Sequence, residues 1–235
     1  MCGRVFTKTS AEQLVFAFGV ERRQGDMPDQ WKARFNGAPG LDYPLIIGQH
    51  DMPGRRFQMA RWGFIPAWSR EDRPKVRPIN AMAESVASNG MFRDAFRFRR
   101  ALMPIDGFFE WKAITGSKAK KPHAVAMADG QPFALAAIYE HRRNRETGLE
   151  ETTFAVITCP ANAMMAEIHS RMPVILDPKD YDRWLSDASD PRDLLKPYPP
   201  ERMRMWEIST RVNSVANDDP SILDPVPEED DETLL

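Results

Sequence analysis

Short apolar runs separated by turn residues are the feature that most limits how this 235-residue chain can fold. Each run has the length of a β-strand and is bounded by proline, glycine, asparagine or aspartate, which favour turns. This pattern predicts a mixed α+β fold with a strongly bent antiparallel sheet or open β-barrel-like core and a few flanking helices. The predicted strands are 43–49, 55–62, 99–105, 107–113, 122–128, 132–139 and 152–158, with turns at 51–54 and 128–131.

Local sequence signals also predict three helices outside these strands. Ser10 followed three residues later by Gln13 forms a capping box, which would begin a helix that continues through residue 18 and ends at Gly19. A second helix is predicted from Pro160 to about residue 168, because proline suits the first turn of a helix. A third is predicted after Asp177.

The distribution of charge suggests one domain and an acidic tail. Lysine and arginine total 32 against 34 acids, but eight of those acids follow Asn217, where no basic residue occurs. We therefore expect a single domain over 1–220 and an acidic, disordered tail over 221–235. Within 55–121 there are 15 basic and 6 acidic residues, interleaved with tryptophan and phenylalanine. Such a mixture suits single-stranded nucleic acid, and it equally suits a solvated basic face over core aromatics.

Several classes of protein lack support in the sequence. No apolar run is long enough for a membrane span, and no secretory signal opens the chain. The two cysteines, Cys2 and Cys159, favour a reducing cytosol over a disulfide framework. The four histidines have no paired spacing, which disfavours a metal site. Nucleotide-binding loops and a nucleophile elbow are also missing, so no cofactor is expected.

The chain begins Met1-Cys2, and removal of the methionine would leave Cys2 with a free α-amine beside its thiol. An α-amine has a pKa near 7.7–8.0, against about 10.4 for lysine, so far more of it is neutral and nucleophilic at neutral pH. A thiol is the most nucleophilic side chain available. This 1,2-aminothiol is a candidate reagent, although a Met-Cys start also arises by chance.

Three further polar residues stand out from their surroundings. Asn80 lies among apolar residues, Glu110 lies between large aromatics on a predicted strand, and His169 follows a predicted helix. Burial would suit Glu110 to donate or accept a proton. Each also has a structural interpretation, as a buried amide, a salt-bridged carboxylate and a capping histidine respectively.

Six segments, in order and spacing, resemble the SOS response-associated peptidase (SRAP) family, also called abasic-site processing proteins. The resemblance extends from residue 2 to about Asn217. The segments are Met1-Cys2-Gly3-Arg4, 34–40 (RFNGAPG), 62–68 (WGFIPAW), 79–81 (INA), 106–111 (DGFFEW) and 168–173 (IHSRMP).

The resemblance implies an enzyme that binds single-stranded DNA and forms a covalent thiazolidine between mature Cys2 and the ring-opened aldehyde of an abasic site. Asn80 would orient the Cys2 terminus or the sugar, Glu110 would exchange protons, and His169 would assist ring opening and release. Removal of Met1 would be autoproteolytic, and lyase activity is possible. We expect a monomer that is cytoplasmic, and nucleoid-associated when bound to DNA.

The resemblance also implies a DNA-binding surface. Arg4 would hold phosphate, and apolar loop residues would wedge against or stack on bases. One position departs from the family, since Met82 stands where many relatives carry a phosphate-binding arginine; Arg77, Arg93 or Lys121 could substitute. The predicted DNA-binding residues are Arg4, Pro39, Trp68, Arg77, Met91 and Phe92.

Two other functions remain open from the residues alone. A cysteine peptidase acting on protein substrates could use the same Asn80, Glu110 and His169. A non-catalytic single-stranded DNA-binding module would leave Cys2 incidental. The basic, aromatic-rich middle of the chain favours DNA over a protein substrate.

Overall fold

A computed structural model describes residues 2–21, 32–48, 54–70, 74–187 and 190–227. Most of the described residues lie in strands, with a few short helices between groups of them. The strands are β1 (Val5–Thr7), β2 (Arg34–Gly37), β3 (Asp42–Gly48), β4 (Arg55–Trp62), β5 (Asn80–Met82), β6 (Arg100–Ile105), β7 (Gly107–Ala113), β8 (Lys120–Met127), β9 (Phe133–Arg143), β10 (Glu150–Pro160), β11 (Arg171–Pro173), β12 (Ile175–Leu176) and β13 (Met203–Glu207). The helices are α1 (Ala11–Phe18), α2 (Arg93–Phe98), α3 (Ala163–Ala166) and α4 (Tyr181–Leu185).

The strands form two sheets, and the mixed α+β prediction is confirmed. The first sheet has the order β13-β8-β7-β1-β2. In the second, the order is β11-β10-β4-β3-β6-β9-β12, and a further pairing of β9 with β10 closes part of it into a ring. Most pairs are antiparallel, but β10 runs parallel to both β4 and β5.

The main core involves both sheets, and a smaller core covers the opposite face of the first sheet. Side chains alternate along β7, so Phe108 lies in the main core and Phe109 in the smaller one. Trp62 and Trp184 are almost fully buried, and each indole N–H donates to a backbone carbonyl, of Ile79 and Ala101 respectively. Their polar atoms are therefore satisfied inside the core.

The elements with strong local signals match their predictions. Ser10 and Gln13 form both hydrogen bonds of the capping box at α1. Gly19 ends the helix in the left-handed conformation, with φ of 57°, which glycine adopts without a steric penalty. The seven predicted strands correspond to β3, β4 and β6–β10, and α4 follows Asp177. Of the predicted turn at 51–54, residues 51–53 lie outside the described residues.

The helix predicted from Pro160 to about residue 168 was wrong in its start and length. Pro160 is the last residue of β10 and pairs with Arg171 of β11. The helix that follows, α3, has four residues, and the side chain of Asn162 caps it by accepting from the N–H of Met165. Pairing with β11 extends the strand through a proline that the local pattern assigned to a helix.

The described chain continues past residue 221, where we expected the tail to begin. Residues 220–223 form a 3-10 turn in which Ile222 is fully buried in the smaller core. The N–H of Val226 then donates to the carbonyl of Glu207 at 3.0 Å. Burial of Ile222 explains why this segment packs on the first sheet; residues 228–235 lie outside the described residues.

Gly107 allows close packing at the start of β7, and its replacement is expected to destabilise the fold. A Cβ there would overlap the ring of Phe6 and the carbonyl of Val125. We expect Gly107→Ala to lower the free energy of unfolding by about 3 kcal/mol, measured by urea denaturation. Gly90→Ala is the control, because a Cβ at Gly90 has no heavy atom within 4 Å. Equal stability of the two variants would contradict this account.

Candidate active site around Cys2

Cys2 lies between the two sheets and is fully buried. On one side, the carbonyl of the nearby Arg4 accepts from the N–H of Phe109 at 2.9 Å, which anchors the segment to β7. On the other side, the amide Nδ2 of Asn80 donates to the Cys2 carbonyl at 2.8 Å. Asn80 belongs to β5, so these hydrogen bonds fix the start of the chain to both sheets.

Asn80 is held in a rigid setting. The backbone carbonyl of the preceding Ile79 accepts from Trp62 Nε1 at 2.8 Å and from the N–H of Val156 at 3.0 Å. The side-chain oxygen of Asn80 is buried and has no hydrogen-bond partner among the described residues. A buried acceptor of this kind is costly unless something occupies it. Beside Cys2, it is available to a reacting group.

Glu110 lies next to Cys2 on β7 and is only 4% exposed. It shares the face of β7 that carries Phe108 into the main core. Its negative charge is the second cause, after burial, of a raised pKa at the Cys2 thiol. The structure therefore brings Cys2, Asn80 and Glu110 together, as the sequence motifs had suggested.

Burial, and after it the negative charge of Glu110, raise the pKa of the Cys2 thiol above its usual value, which favours the neutral thiol. The thiolate is the form that reacts with alkylating agents. We expect alkylation of Cys2 by iodoacetamide in the DNA-free protein to be slow at pH 7 and to rise about tenfold per pH unit through pH 9. Peptide mass spectrometry measures this rate. A rate that levels off near pH 8.5 would contradict the raised pKa.

His169 follows α3 and is half-buried. Its Nδ1 lies 3.0 Å from the N–H of Arg171, which donates to it, and 3.1 Å from the Arg171 carbonyl. Strand β10 pairs with β5 along one edge and with β11 along the other, so His169 and Asn80 come from elements on opposite sides of β10.

An ion pair between Glu84 and Arg171 connects these elements. The guanidinium of Arg171 makes two hydrogen bonds to the carboxylate of Glu84, at 2.8 and 2.9 Å, and a third to the carbonyl of Thr158 at 2.7 Å. The hydrogen bond from Arg171 lowers the pKa of Glu84. This pair ties the turn after β5, strand β10 and the segment of His169 together. The role of Glu84 could not be predicted from the sequence, because nothing near it in the chain indicates a partner 87 residues away.

Arg4 is held within the protein by several contacts. Its Nη1 donates to Asn36 Oδ1 at 2.6 Å and to the carbonyl of Val212 at 2.7 Å, and its guanidinium lies 5.7 Å from the ring centre of Trp111. Burial lowers the pKa of Arg4. These contacts fix the guanidinium beside the Cys2 segment, and the phosphate contact assigned to it stays a prediction.

Asn36 is a structural residue that the sequence motif contained without revealing its role. It is 2% exposed, and its Nδ2 lies within 3.1 Å of three backbone carbonyls, those of Val212, Ser214 and Asn217. It thereby fastens the C-terminal segment against β2. Such contacts to backbone atoms depend on tertiary packing and leave no local sequence signal.

The other predicted DNA-binding residues differ in exposure. Trp68 is 65% exposed, whereas Pro39, Arg77 and Met91 are half-buried. Phe92 is 8% exposed, and its ring packs edge-on against Phe64 at 5.4 Å. Of the six, Trp68 thus offers the most accessible surface for stacking on a base, while Phe92 serves the core.

Neither a metal site nor a membrane segment is found in the described part of the chain. No group of three histidine, cysteine, aspartate or glutamate residues there could hold a metal ion. Likewise, none of the helices described has both the length and the apolar character needed to cross a membrane.

The fold and the site together define a class: a two-sheet α+β protein with a buried cysteine at the start of the chain, beside an amide and a carboxylate from distant strands. The chain belongs to the SOS response associated peptidase (SRAP) family, whose model matches residues 1–215.

Named relatives support this assignment. The chain is 31% identical over 229 residues to the abasic site processing protein YoqW of Bacillus subtilis, covering 95% of this chain and 99% of that protein. It is 30% identical over 233 residues to the abasic site processing protein YedK of Escherichia coli, covering 96% and 100%. A crystal structure of a Bacteroides thetaiotaomicron protein matches with a TM-score of 0.81 at 27% identity, over 96% of this chain and all of that one.

Proposed function

We propose that this protein is a DNA-damage response enzyme that forms a covalent crosslink to abasic sites in single-stranded DNA. The observation that carries the proposal is the position of Cys2, buried beside Glu110 and hydrogen-bonded by Asn80. The relatives named as abasic site processing proteins support the substrate class.

The reaction uses both groups of mature Cys2. The α-amine attacks C1′ of the ring-opened sugar, and loss of water gives a Schiff base. The thiol sulfur then adds to the same carbon, its proton passes to the nitrogen, and a five-membered thiazolidine closes. One water is released overall, and no oxidant or reductant is consumed. The amine and thiol share adjacent carbons, so the second step is intramolecular and avoids most of the entropy cost of a bimolecular encounter.

Three side chains serve these steps. Asn80 holds the Cys2 carbonyl, and its buried oxygen accepts a hydrogen bond from the amine or the sugar. Glu110 takes a proton from the amine and returns one to the departing oxygen. His169 assists opening of the sugar ring and, in reverse, release of the crosslink.

Removal of Met1 exposes the amine, and we propose that the protein does this itself. The Cys2 site would hydrolyse the Met1–Cys2 peptide bond, and such an activity would fit the word peptidase in the family name. In the DNA complex Arg4 holds phosphate and Trp68 stacks on a base, and the protein acts as a cytoplasmic monomer. Lyase cleavage beside the lesion is a further outcome of the same Schiff base.

A denaturing gel tests the proposal. Mature protein, with Met1 shown to be absent by mass spectrometry, is incubated with single-stranded DNA carrying one abasic site. We expect a heat-stable shifted band that is missing with Cys2→Ala and with a tetrahydrofuran analogue, which has no aldehyde. Absence of the band with wild-type protein would overturn the proposal, and a band with the analogue would overturn the aldehyde chemistry.

A further inference from the structure

The face of the first sheet that carries Glu110 continues toward two lysines. In the strand register, Glu110 lies opposite His123, and Lys112 lies opposite Lys121. Directly opposed residues point to the same side of a sheet. Phe108, the previous residue on this face, packs in the main core with Cys2. Lys112 and Lys121 are therefore the next side chains outward from the site.

The two lysines form a like-charge pair without full compensation. Both are exposed, and directly opposed Cβ atoms lie about 4.5–5.5 Å apart, a spacing at which like charges repel. Lys121 Nζ contacts the carboxylate of Glu207 at 3.1 Å. Lys112 has no ion pair with any residue in the described ranges. An anion placed between the two ammonium groups would relieve this repulsion.

The distance from the site suits a phosphate next to the reacting sugar. Lys112 follows Glu110 by two residues, which corresponds to about 7 Å along a strand. A flexible lysine stem covers a comparable length. On the opposite side of the site, β5 ends in Met82, which is 48% exposed and supplies no charge. The lysines of β7 and β8 place positive charge on the other side of the site.

We propose that Lys112 and Lys121 form a phosphate subsite that binds the DNA backbone beside the abasic sugar. The inference rests on the proposed function for the identity of the ligand. Its ionic contacts orient the strand so that C1′ meets Cys2, and they make binding depend on salt through release of counterions.

Fluorescence anisotropy at several salt concentrations tests the subsite. The probe is labelled single-stranded DNA with one tetrahydrofuran residue, which cannot crosslink and so reports binding alone. We expect Lys112→Gln and Lys121→Gln each to weaken binding about three- to tenfold and to reduce the slope of log affinity against log salt by about 0.7. Lys179→Gln, an exposed lysine beside α4, is the matched control and should leave both values unchanged.

A second DNA probe locates the contact. Replacing the two phosphodiesters next to the tetrahydrofuran by neutral methylphosphonates should weaken wild-type binding but cause little further loss in the double lysine variant. Slopes equal to that of Lys179→Gln would overturn the subsite. A second result would also overturn it. If deletion of residues 228–235 tightened DNA binding while the lysine substitutions had no effect, the charge that controls DNA binding would be that of the acidic residues and not that of the two lysines.

The proposed function is tested separately, by measuring crosslinking to DNA with a natural abasic site at saturating DNA concentration. If the double lysine variant crosslinks fully to this DNA and its salt slope is unchanged, the proposed function stands and the phosphate subsite is disproved. If the wild-type protein does not crosslink, but its slope of log affinity against log salt still depends on the two lysines, the proposed function is disproved and the subsite stands.

Discussion

Replacement of Cys2 by serine is expected to abolish the heat-stable crosslink while leaving a Schiff base that borohydride can trap. The variant is prepared with Met1 already removed, as shown by mass spectrometry, because the loss of the thiol would also prevent self-processing. Serine then preserves the α-amine and nearly the volume of a fully buried side chain, but its hydroxyl is a far weaker nucleophile than a thiol. The imine therefore forms and hydrolyses again without ring closure. Denaturing gels with and without sodium borohydride measure the two products.

Cys159→Ser is the matched control for this experiment. Cys159 is also fully buried, and burial raises the pKa of its thiol to about 12, but it lies in β10 beside Met172 of β11. We expect this variant to crosslink as the wild type does. Loss of crosslinking in both variants would point to damage of the fold, which circular dichroism would detect. A heat-stable band with Cys2→Ser would contradict the thiazolidine.

Replacement of Glu110 by glutamine is expected to slow crosslinking about 10²- to 10⁴-fold, the range that general acid–base catalysis contributes. Glutamine keeps the shape of this buried side chain but cannot exchange a proton with the Cys2 amine or the sugar oxygen. The rate is measured in single-turnover experiments with saturating abasic DNA, so that weaker binding does not enter.

Glu201→Gln is the control for Glu110, because Glu201 is an exposed carboxylate in the turn before β13. It should crosslink at the wild-type rate under saturating conditions. Affinity for the tetrahydrofuran probe should change little in Glu110→Gln, since the carboxylate acts on the reacting groups. Comparable rates for Glu110→Gln and wild type would remove Glu110 from the catalytic steps.

Features with a local cause were predictable from the sequence. Ser10, Gln13 and Gly19 define α1 because capping bonds join residues three or four positions apart. The strands around Gly107 and Gly130 were also foreseen, because apolar runs between turn residues indicate strands without reference to the rest of the chain.

Features that depend on distant pairing were not predictable. The parallel pairing of β10 with β4 and β5, and the closure of the ring by β9, join segments whose local patterns do not specify a neighbour. Pro160 is an example: a proline at this position suggested the start of a helix, whereas pairing with Arg171 places it in strand β10. Glu84 and Asn36 were missed for the same reason.

The sequence by itself determined which groups residue 2 can offer, because a cysteine after the first methionine would carry an amine and a thiol on adjacent carbons once Met1 is removed. Its motifs also named Asn80 and Glu110. Only the tertiary structure decided that these groups meet. Asn80 reaches the Cys2 carbonyl across 78 residues of chain, and Glu110 lies beside the thiol because β7 pairs with β1 in one particular register. Such contacts follow from strand pairing between distant segments, which local sequence patterns do not encode.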